Sequence, residues 1–592
     1  MGAMTAQARR AELGADALVS ALEACGVTVA FGLPGVHNLP LWEALARSRI
    51  RLIGTRHEQS AAYAADGYAR ATGELGIALT TTGPGAANAV AATGEAWASH
   101  SPVLVITTDI PTALRRPGVY RGALHETRDQ GAMFAPVVKR VVRVGDQEEM
   151  AGLTLAAAAQ ALTAPSGPVY IELPTDLLRA PVTTRLEPQA PARPSHATDF
   201  GSSSGQIDQS EVEAAAALCA VAKRPLLWVG GGAMRAGAGG AAAQLARRLG
   251  APVIETYMAR GAVDPDHPCW VGLPPHLEEA GQLWDDADLV LSIGSDLDAM
   301  MTQNWAMPQP PKLIALNVDR ADATKNYLAD VVIEGDVRDT LPALQRALGD
   351  LRPRESPFDQ LQALRQTAWR RLTREEPAGA EFLGSMQAAL TADTVVFADM
   401  CIPGYWIAAL HPFRRPRRLA YPVGWGTLGF AFPASIGAAA GQSDPVLCVS
   451  GDGGFLFACG ELAVLAQERL PLTVMLVDDG GYGMLRYDQE RVGAQAFGVD
   501  LLTPDWALLA SAFGVAVDEV TGVGPSMRNS LQRHLALAEP SMLVVRASIP
   551  PPATTSSRWY RAAGRAAAPA DELARWHRPT GRAGSSAGDS RT

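Results

Sequence analysis

Residues 447–453, LCVSGDG, set one carboxylate, Asp452, in a glycine turn at the end of an apolar run. A helical stretch follows, FLFACGELAVLAQERL, and a second apolar run, LTVMLV, then ends in Asp478-Asp479-Gly480-Gly481. A strand–helix–strand unit returns both run ends to the same edge of a parallel sheet. Oxygen ligands from Asp452 and Asp479 can there hold one hard cation. Magnesium takes one or two protein carboxylates and completes its shell with phosphate oxygens and water. Glycines let backbone approach a phosphate closely, and a helix N-terminus favours its negative charge. The plainer alternative is that GDG is only a turn after a buried strand. The second Asp-Gly-Gly end, at this spacing, is what favours a metal.

These residues need a frame of strands. Short apolar runs such as GIALT, PVLVITTD, PLLWVGGG and LVLSIGSD alternate with Ala-rich helical stretches. Fully apolar strands between helices mean parallel sheets covered on both faces. The expected fold class is α/β, with three parallel-sheet domains, and 592 residues suit about three domains at roughly 100–200 residues each. The first domain is expected over 1–185. A Pro/Ser/Gly-rich linker follows over 186–209, then a middle domain over 210–350. A charged, partly helical and exposed connector is read over 351–375, and the last domain over 376–561. Residues 562–592 lack periodicity and read as a disordered tail.

Composition excludes several classes. A net charge of −10 argues against a nucleic-acid surface. The six cysteines form no CxxC and have no zinc-ligand spacing, which fits reduced thiols in a cytoplasmic protein. No stretch is apolar and long enough to span a membrane, and the N-terminal residues lack a signal core.

GDG, followed by a polar ligand before Gly481-Tyr482-Gly483-Met484, resembles the cofactor motif of thiamine-diphosphate enzymes. The similar superfamily is that of acetolactate synthase and pyruvate decarboxylase. Residues 55–70, TRHEQSAAYAADGYAR, and the turn TTGPGAAN resemble the pyrimidine-binding domain of the same family. The resemblance runs over roughly residues 12–550 and implies a pyrimidine-binding, a central Rossmann-like and a diphosphate-binding domain. It implies that Glu58 hydrogen-bonds the aminopyrimidine and stabilises the imino tautomer that deprotonates C2. That role is proton transfer within the cofactor. It implies Mg²⁺ held by Asp452, the Asp479 side chain and the Gly481 carbonyl, although relatives usually carry Asn-Asn where this chain has Asp478-Asp479. The remaining cofactor contacts carried over by the match are Pro34, Gly35, Gly83, Pro84, Asn88, Gly404, Tyr405, Gly426, Leu428, Gly451, Gly453, Gly454, Tyr482, Gly483 and Met484. Among them Leu428 takes the wedge position that bends the cofactor, and the Gly426 carbonyl faces the 4-amino group. Leu428 as ordinary core is physically similar.

The substrate side departs from the family. Val36 stands where some decarboxylases place an acid or a serine, and it cannot transfer a proton. His37 beside it is an alternative donor, or a helix-capping residue. Leu124 and His125 fall where acetolactate synthases have Phe-Gln, and His125 is either reactive or structural. Met484 and Leu485 match the apolar pair of the substrate pocket. Asp488 replaces a Trp, which fits a more polar or cationic substrate. PGVH and LHE-x-x-DQ also resemble decarboxylases of guanidino-2-oxo acids. The implied reaction is decarboxylation of a 2-oxo acid with carboligation to a second carbonyl. The alternatives are simple decarboxylation to an aldehyde and an inactive paralogue. In the middle domain GGG favours FAD while Ser295, where flavin-dependent relatives carry Arg, speaks against it. Relatives build the site between subunits, so a homodimer or homotetramer is implied.

Overall fold

A computed structural model describes residues 12–116, 118–183 and 207–561. Three parallel sheets carry the chain. The first holds β1 (Val29–Gly32), β2 (Arg51–Gly54), β3 (Gly76–Thr80), β4 (Val103–Asp109), β5 (Arg140–Arg143) and β6 (Val169–Pro174), in the order β2-β1-β3-β4-β6-β5. The second holds β7 (Pro225–Val229), β8 (Val253–Glu255), β9 (Leu289–Ile293), β10 (Leu313–Asn317) and β11 (Val331–Glu334), in the order β11-β10-β9-β7-β8. The third holds β12 (Val395–Ala398), β13 (Leu419–Ala420), β14 (Val446–Gly451), β15 (Leu472–Asp478), β16 (Ala516–Thr521) and β17 (Ser541–Arg546), in the order β13-β12-β14-β15-β17-β16. The first and third sheets therefore share one topology. The apolar runs at β3, β4, β14 and β15 are buried almost throughout, as helix-covered parallel strands must be.

The first and third domains meet through the helices Glu58–Thr72 and Ala431–Gly441. Their close approach depends on two glycines. A Cβ on Gly67 would lie 1.9 Å from the Ala434 carbonyl oxygen, and one on Gly437 would lie 1.8 Å from that of Ala64. Alanines fill the rest of this seam, including the fully buried Ala61, Ala64, Ala65 and Ala438.

One expectation needs correcting, and another is filled in. The charged stretch after residue 350 contains an 18-residue helix, Phe358–Glu375, exposed over most of its length but burying Leu361, Ala368 and Leu372. Arg371 ties it to the middle domain through Glu279 at 2.6 Å. Three apolar residues on one face suffice to pack a helix that is charged elsewhere. The single helix read after GDG is broken instead into Asp452–Phe455, a 3₁₀ turn at Cys459–Glu461, and Leu462–Glu468. Residues 186–206 of the expected linker and the whole expected tail lie outside the described residues.

Candidate active site

Asp452 begins at the end of β14 and is completely buried. Neither of its carboxylate oxygens has a hydrogen-bond partner. Burial, then the charges of Asp479 and Asp478, push its pKa up to about 7, while the backbone amides of Gly453 and Gly481 act in the opposite sense. A buried carboxylate left without partners is costly unless a cation or proton meets it.

The two aspartates after β15 divide their work. Asp478 is engaged by its own chain: Oδ2 accepts from Trp506 Nε1 at 2.6 Å and pairs with Arg546, and Oδ1 accepts from the Gly480 amide at 3.0 Å. Asp479 is half-buried, and burial raises its pKa against the opposing charge of Arg486. The Arg486 guanidinium donates to the Asp479 and Gly480 carbonyls, at 3.3 and 3.1 Å, and so stiffens the turn. Gly483 makes room for the Asp479 carboxylate, since a Cβ there would fall 1.9 Å from Oδ2. Gly453 likewise lets the Tyr482 ring approach, and Gly404 and Gly454 pack on Asp399. Among the described residues no group of three or more His, Cys, Asp or Glu gathers around one point. Two carboxylates and a carbonyl suit an ion that takes its remaining ligands from phosphate and water.

The loop before the Ala431–Gly441 helix carries Gly426, with φ +66°, and the half-buried Leu428. Leu428 is not fully enclosed, unlike its neighbour Phe430. Two anchors fix this loop. The Trp425 amide donates to Glu95 at 3.2 Å, and Glu95 is itself paired with buried Arg70 at 2.9 Å. The Gly429 amide donates to Asp399 Oδ2 at 3.0 Å, which also accepts from Ser450 Oγ at 3.1 Å. Burial pushes Asp399 up to about 6. Asp399, at the end of β12, joins this loop to the strand that bears Asp452. Sequence reading passed over it, although Asp at the end of an apolar run (VVFAD) was a visible signal.

Glu58 opens its helix and is nearly buried; Oε2 accepts from Asn88 Nδ2 at 3.0 Å. His57 caps the helix by accepting from the Gln59 amide, a structural role. Beyond β3, Gly83 has φ +66°, and a Cβ on it would strike the His125 carbonyl oxygen at 2.5 Å. The Gly83 amide donates to Gln130 Oε1 at 2.7 Å. Gln130, also missed in the sequence, is buried and donates to Thr107, the Thr108 carbonyl and Tyr170. His37 and His125 come together edge to face, with ring centroids 5.2 Å apart. Thr82 donates to Thr108 at 3.0 Å, so His37 Nδ1, 2.8 Å from Thr82, is the donor of that pair. This leaves His37 Nε2 as an open acceptor. Burial, then the neighbouring His125, lower the His37 pKa and favour the neutral ring. Gly35 is packed on Thr81, and Pro34, Pro84 and Asn88 are exposed.

Tyr405, Met484 and Asp488 line one cavity of about 220 Å³. Val36, Leu124 and Leu485 stand 60%, 66% and 52% exposed on the single chain. No hydrogen bond links Glu58 to Asp452.

Sequence models of one family match all three domains. These are "Thiamine pyrophosphate enzyme, N-terminal TPP binding domain" over 13–133, the central domain over 212–344, and the C-terminal TPP binding domain over 401–545. The chain belongs to the thiamine pyrophosphate enzyme family. This thiamine enzyme is 35% identical over 527 residues to the probable 2-ketoarginine decarboxylase AruI of Pseudomonas aeruginosa, covering 88% of this chain and 90% of the relative. It is 31% identical over 547 residues to the probable acetolactate synthase large subunit of Methanocaldococcus jannaschii, covering 90% and 91%. It is 32% identical over 522 residues to the acetolactate synthase isozyme 2 large subunit of Escherichia coli, covering 86% and 91%. Among the described residues no helix is long and apolar enough to cross a membrane.

Proposed function

We propose that this thiamine enzyme decarboxylates a 2-oxo acid and joins the remaining acyl carbon to a second carbonyl, as the acetolactate synthase relatives' names describe for them. The observation that carries the cofactor site is Asp452, buried with both oxygens unpartnered at the end of β14, with Asp479 just past the end of the neighbouring strand β15. When bound, thiamine diphosphate supplies a nucleophile at C2 and a sink for the electrons released as CO₂ leaves.

The chain's own residues do the rest. Asp452, the Asp479 carboxylate and the Gly481 carbonyl would hold Mg²⁺, and the ion would neutralise the two acids and the diphosphate together. The Glu58 carboxyl would exchange a proton with the pyrimidine ring nitrogen of the bound cofactor. Asn88 fixes its orientation, as a proton-transfer group requires. Leu428 and the Gly426 carbonyl would meet the cofactor from a loop that Glu95 and Asp399 anchor. His37 and His125 belong to the same side of the first domain as Gly83 and can pass a proton through His37 Nε2.

That pair favours a second reading: protonation of the acyl carbon to an aldehyde, as a 2-oxo acid decarboxylase does and as the AruI relative's name describes for it. Val36, which carries no proton, favours carboligation. Several apolar side chains near these loops are open on the single chain, among them Leu124, Leu485, Phe497 and Leu502. Such exposure suits burial in a homodimer or homotetramer that brings Glu58 of one subunit to Asp452 of another. The middle domain offers a cavity of about 470 Å³ bordered by Gly231, Gly232, Arg235 and Ser295. Arg235 lies deep in it; burial, then Arg417, lower its pKa to about 10. The Arg235 guanidinium could hold a nucleotide's phosphates, whereas Asp296, Asp298, Asp322 and Asp336 in the same lining oppose a diphosphate, so the lining is mixed for FAD. A flavin absorbance band in the purified protein tests that occupant.

The test of function is product analysis. The holoenzyme with thiamine diphosphate and Mg²⁺ is given pyruvate, 2-oxobutanoate and 5-guanidino-2-oxopentanoate. A hydroxy-keto product supports carboligation, an aldehyde supports the second reading, and no CO₂ from any acid refutes both.

A further inference from the structure

The Gly483–Arg491 helix sets Met484 and Asp488 one turn apart, on the same face. Both look into the 220 Å³ cavity, which is also walled by Tyr257, Tyr405, Tyr421 and Met400. The cavity adjoins the expected reaction centre: a Cβ on Gly426 would lie 3.4 Å from the Met400 terminal methyl. It is smaller than the roughly 300–1,000 Å³ of drug-sized sites, and suits a small acid with one short chain.

Its electrostatics are one-sided. Asp488 Oδ1 is enclosed and has no hydrogen-bond partner. No ion pair is formed by Asp488 among the described residues, and no Lys, Arg or His borders the cavity. The negative charge of Asp488 is among the causes, after burial, that hold the proton on Tyr405. Asp488 is half-buried with one oxygen enclosed, and a cationic group is favoured beside such a carboxylate. No basic side chain borders the cavity, so a cation there would come with the ligand. The walls are aromatic: the Tyr405 and Tyr421 rings stand edge to face at 6.4 Å, and those of Tyr257 and Tyr421 at 6.0 Å. Aromatic faces attract cations. A planar, weakly hydrated guanidinium both stacks on such faces and forks onto a carboxylate, which a compact ammonium does less well.

We propose that Asp488 and its tyrosine-walled cavity select a donor 2-oxo acid whose aliphatic chain ends in a guanidinium. This rests on the reading of the chain as a 2-oxo acid decarboxylating enzyme. The keto acid end lies at the cofactor, the chain passes Met484 and Met400, and the guanidinium meets Asp488. The same charge repels a second carboxylate, so dicarboxylic 2-oxo acids are poor substrates.

The test compares CO₂ release from 5-guanidino-2-oxopentanoate and from uncharged 2-oxohexanoate, using the holoenzyme of the parent and of Asp488→Asn and Asp488→Glu. The parent should prefer the guanidino acid in kcat/KM. Asp488→Asn should cut that preference by about 100-fold, the weight of a lost charge-assisted hydrogen bond. An unchanged far-UV circular dichroism spectrum and melting temperature in Asp488→Asn report an intact fold. Asp488→Glu should keep part of the preference. Calorimetric binding of 5-guanidinopentanoate, which lacks the keto group, should weaken in parallel in Asp488→Asn. A parent that prefers 2-oxohexanoate overturns the inference and leaves the decarboxylase reading standing. So does a preference, or a binding affinity, unchanged in Asp488→Asn. No CO₂ from either acid, or from pyruvate, overturns the reading itself and this inference with it.

Discussion

Replacing Asp452 with Asn should make the cofactor-free protein more stable while denying it the stability that magnesium and thiamine diphosphate confer. The side chain is fully buried, with both oxygens unpartnered. Its carboxyl is pushed from 3.8 up to about 7, first by burial and then by Asp479 and Asp478. Each pKa unit is about 1.4 kcal/mol, so the ionised form is penalised by up to about 4 kcal/mol. The Asn amide is also buried without partners and costs about 1–3 kcal/mol. A net gain of about 1–3 kcal/mol remains for the variant above neutral pH. The folded carboxyl titrates above its unfolded value. The parent's penalty is therefore absent below about pH 4, grows as pH rises, and is complete above about pH 7. The two stability curves should cross, with the variant slightly weaker in acid and stronger at neutral pH. Urea unfolding in EDTA, repeated across this range, reads the difference. Adding Mg²⁺ and thiamine diphosphate at 100 times their dissociation constant should raise the parent by about 2.7 kcal/mol and the variant far less. A variant no more stable at neutral pH, a pH-independent difference, or an equal gain from the ligands would refute the reasoning.

Glu58→Gln should leave thiamine diphosphate affinity near the parent's but slow exchange of the cofactor's C2 proton by about 10²–10⁴-fold; exchange at the parent's rate, followed by NMR, would remove Glu58 from this role. Gly437→Val should lower the unfolding midpoint by at least about 2 kcal/mol equivalent, because its Cβ falls 1.8 Å from the Ala64 carbonyl at the interdomain seam; an unchanged melt would mean the two helices separate freely. Gln130→Leu removes the partner of the Gly83 amide and three buried acceptor contacts, and should cost about 1–3 kcal/mol in a urea titration.

The sequence alone determined the α/β class and the family. Short apolar runs such as VLCVS and LTVMLV, alternating with Ala-rich stretches, fit helix-covered parallel strands, and glycine turns with aspartates at their ends are local signals that survive without knowledge of distant contacts. It also marked Asp488 as a departure. Tertiary structure decided what depends on long-range approach. The DDGG string singled out Asp479 by register alone; the fold adds that Trp506 and Arg546 claim Asp478. The anchoring of the Gly426 loop rests on Glu95 and Asp399, which lie far from it in sequence. The charged stretch before residue 376 reads as a connector by composition, yet three apolar residues on one face are enough to pack it. Whether Asp488 has a partner is a property of the cavity around it. That cavity is assembled from five separated stretches, at Tyr257, Met300, Met400–Tyr421, Met484–Asp488 and Thr554–Ser556, which only the folded chain brings within reach of one another.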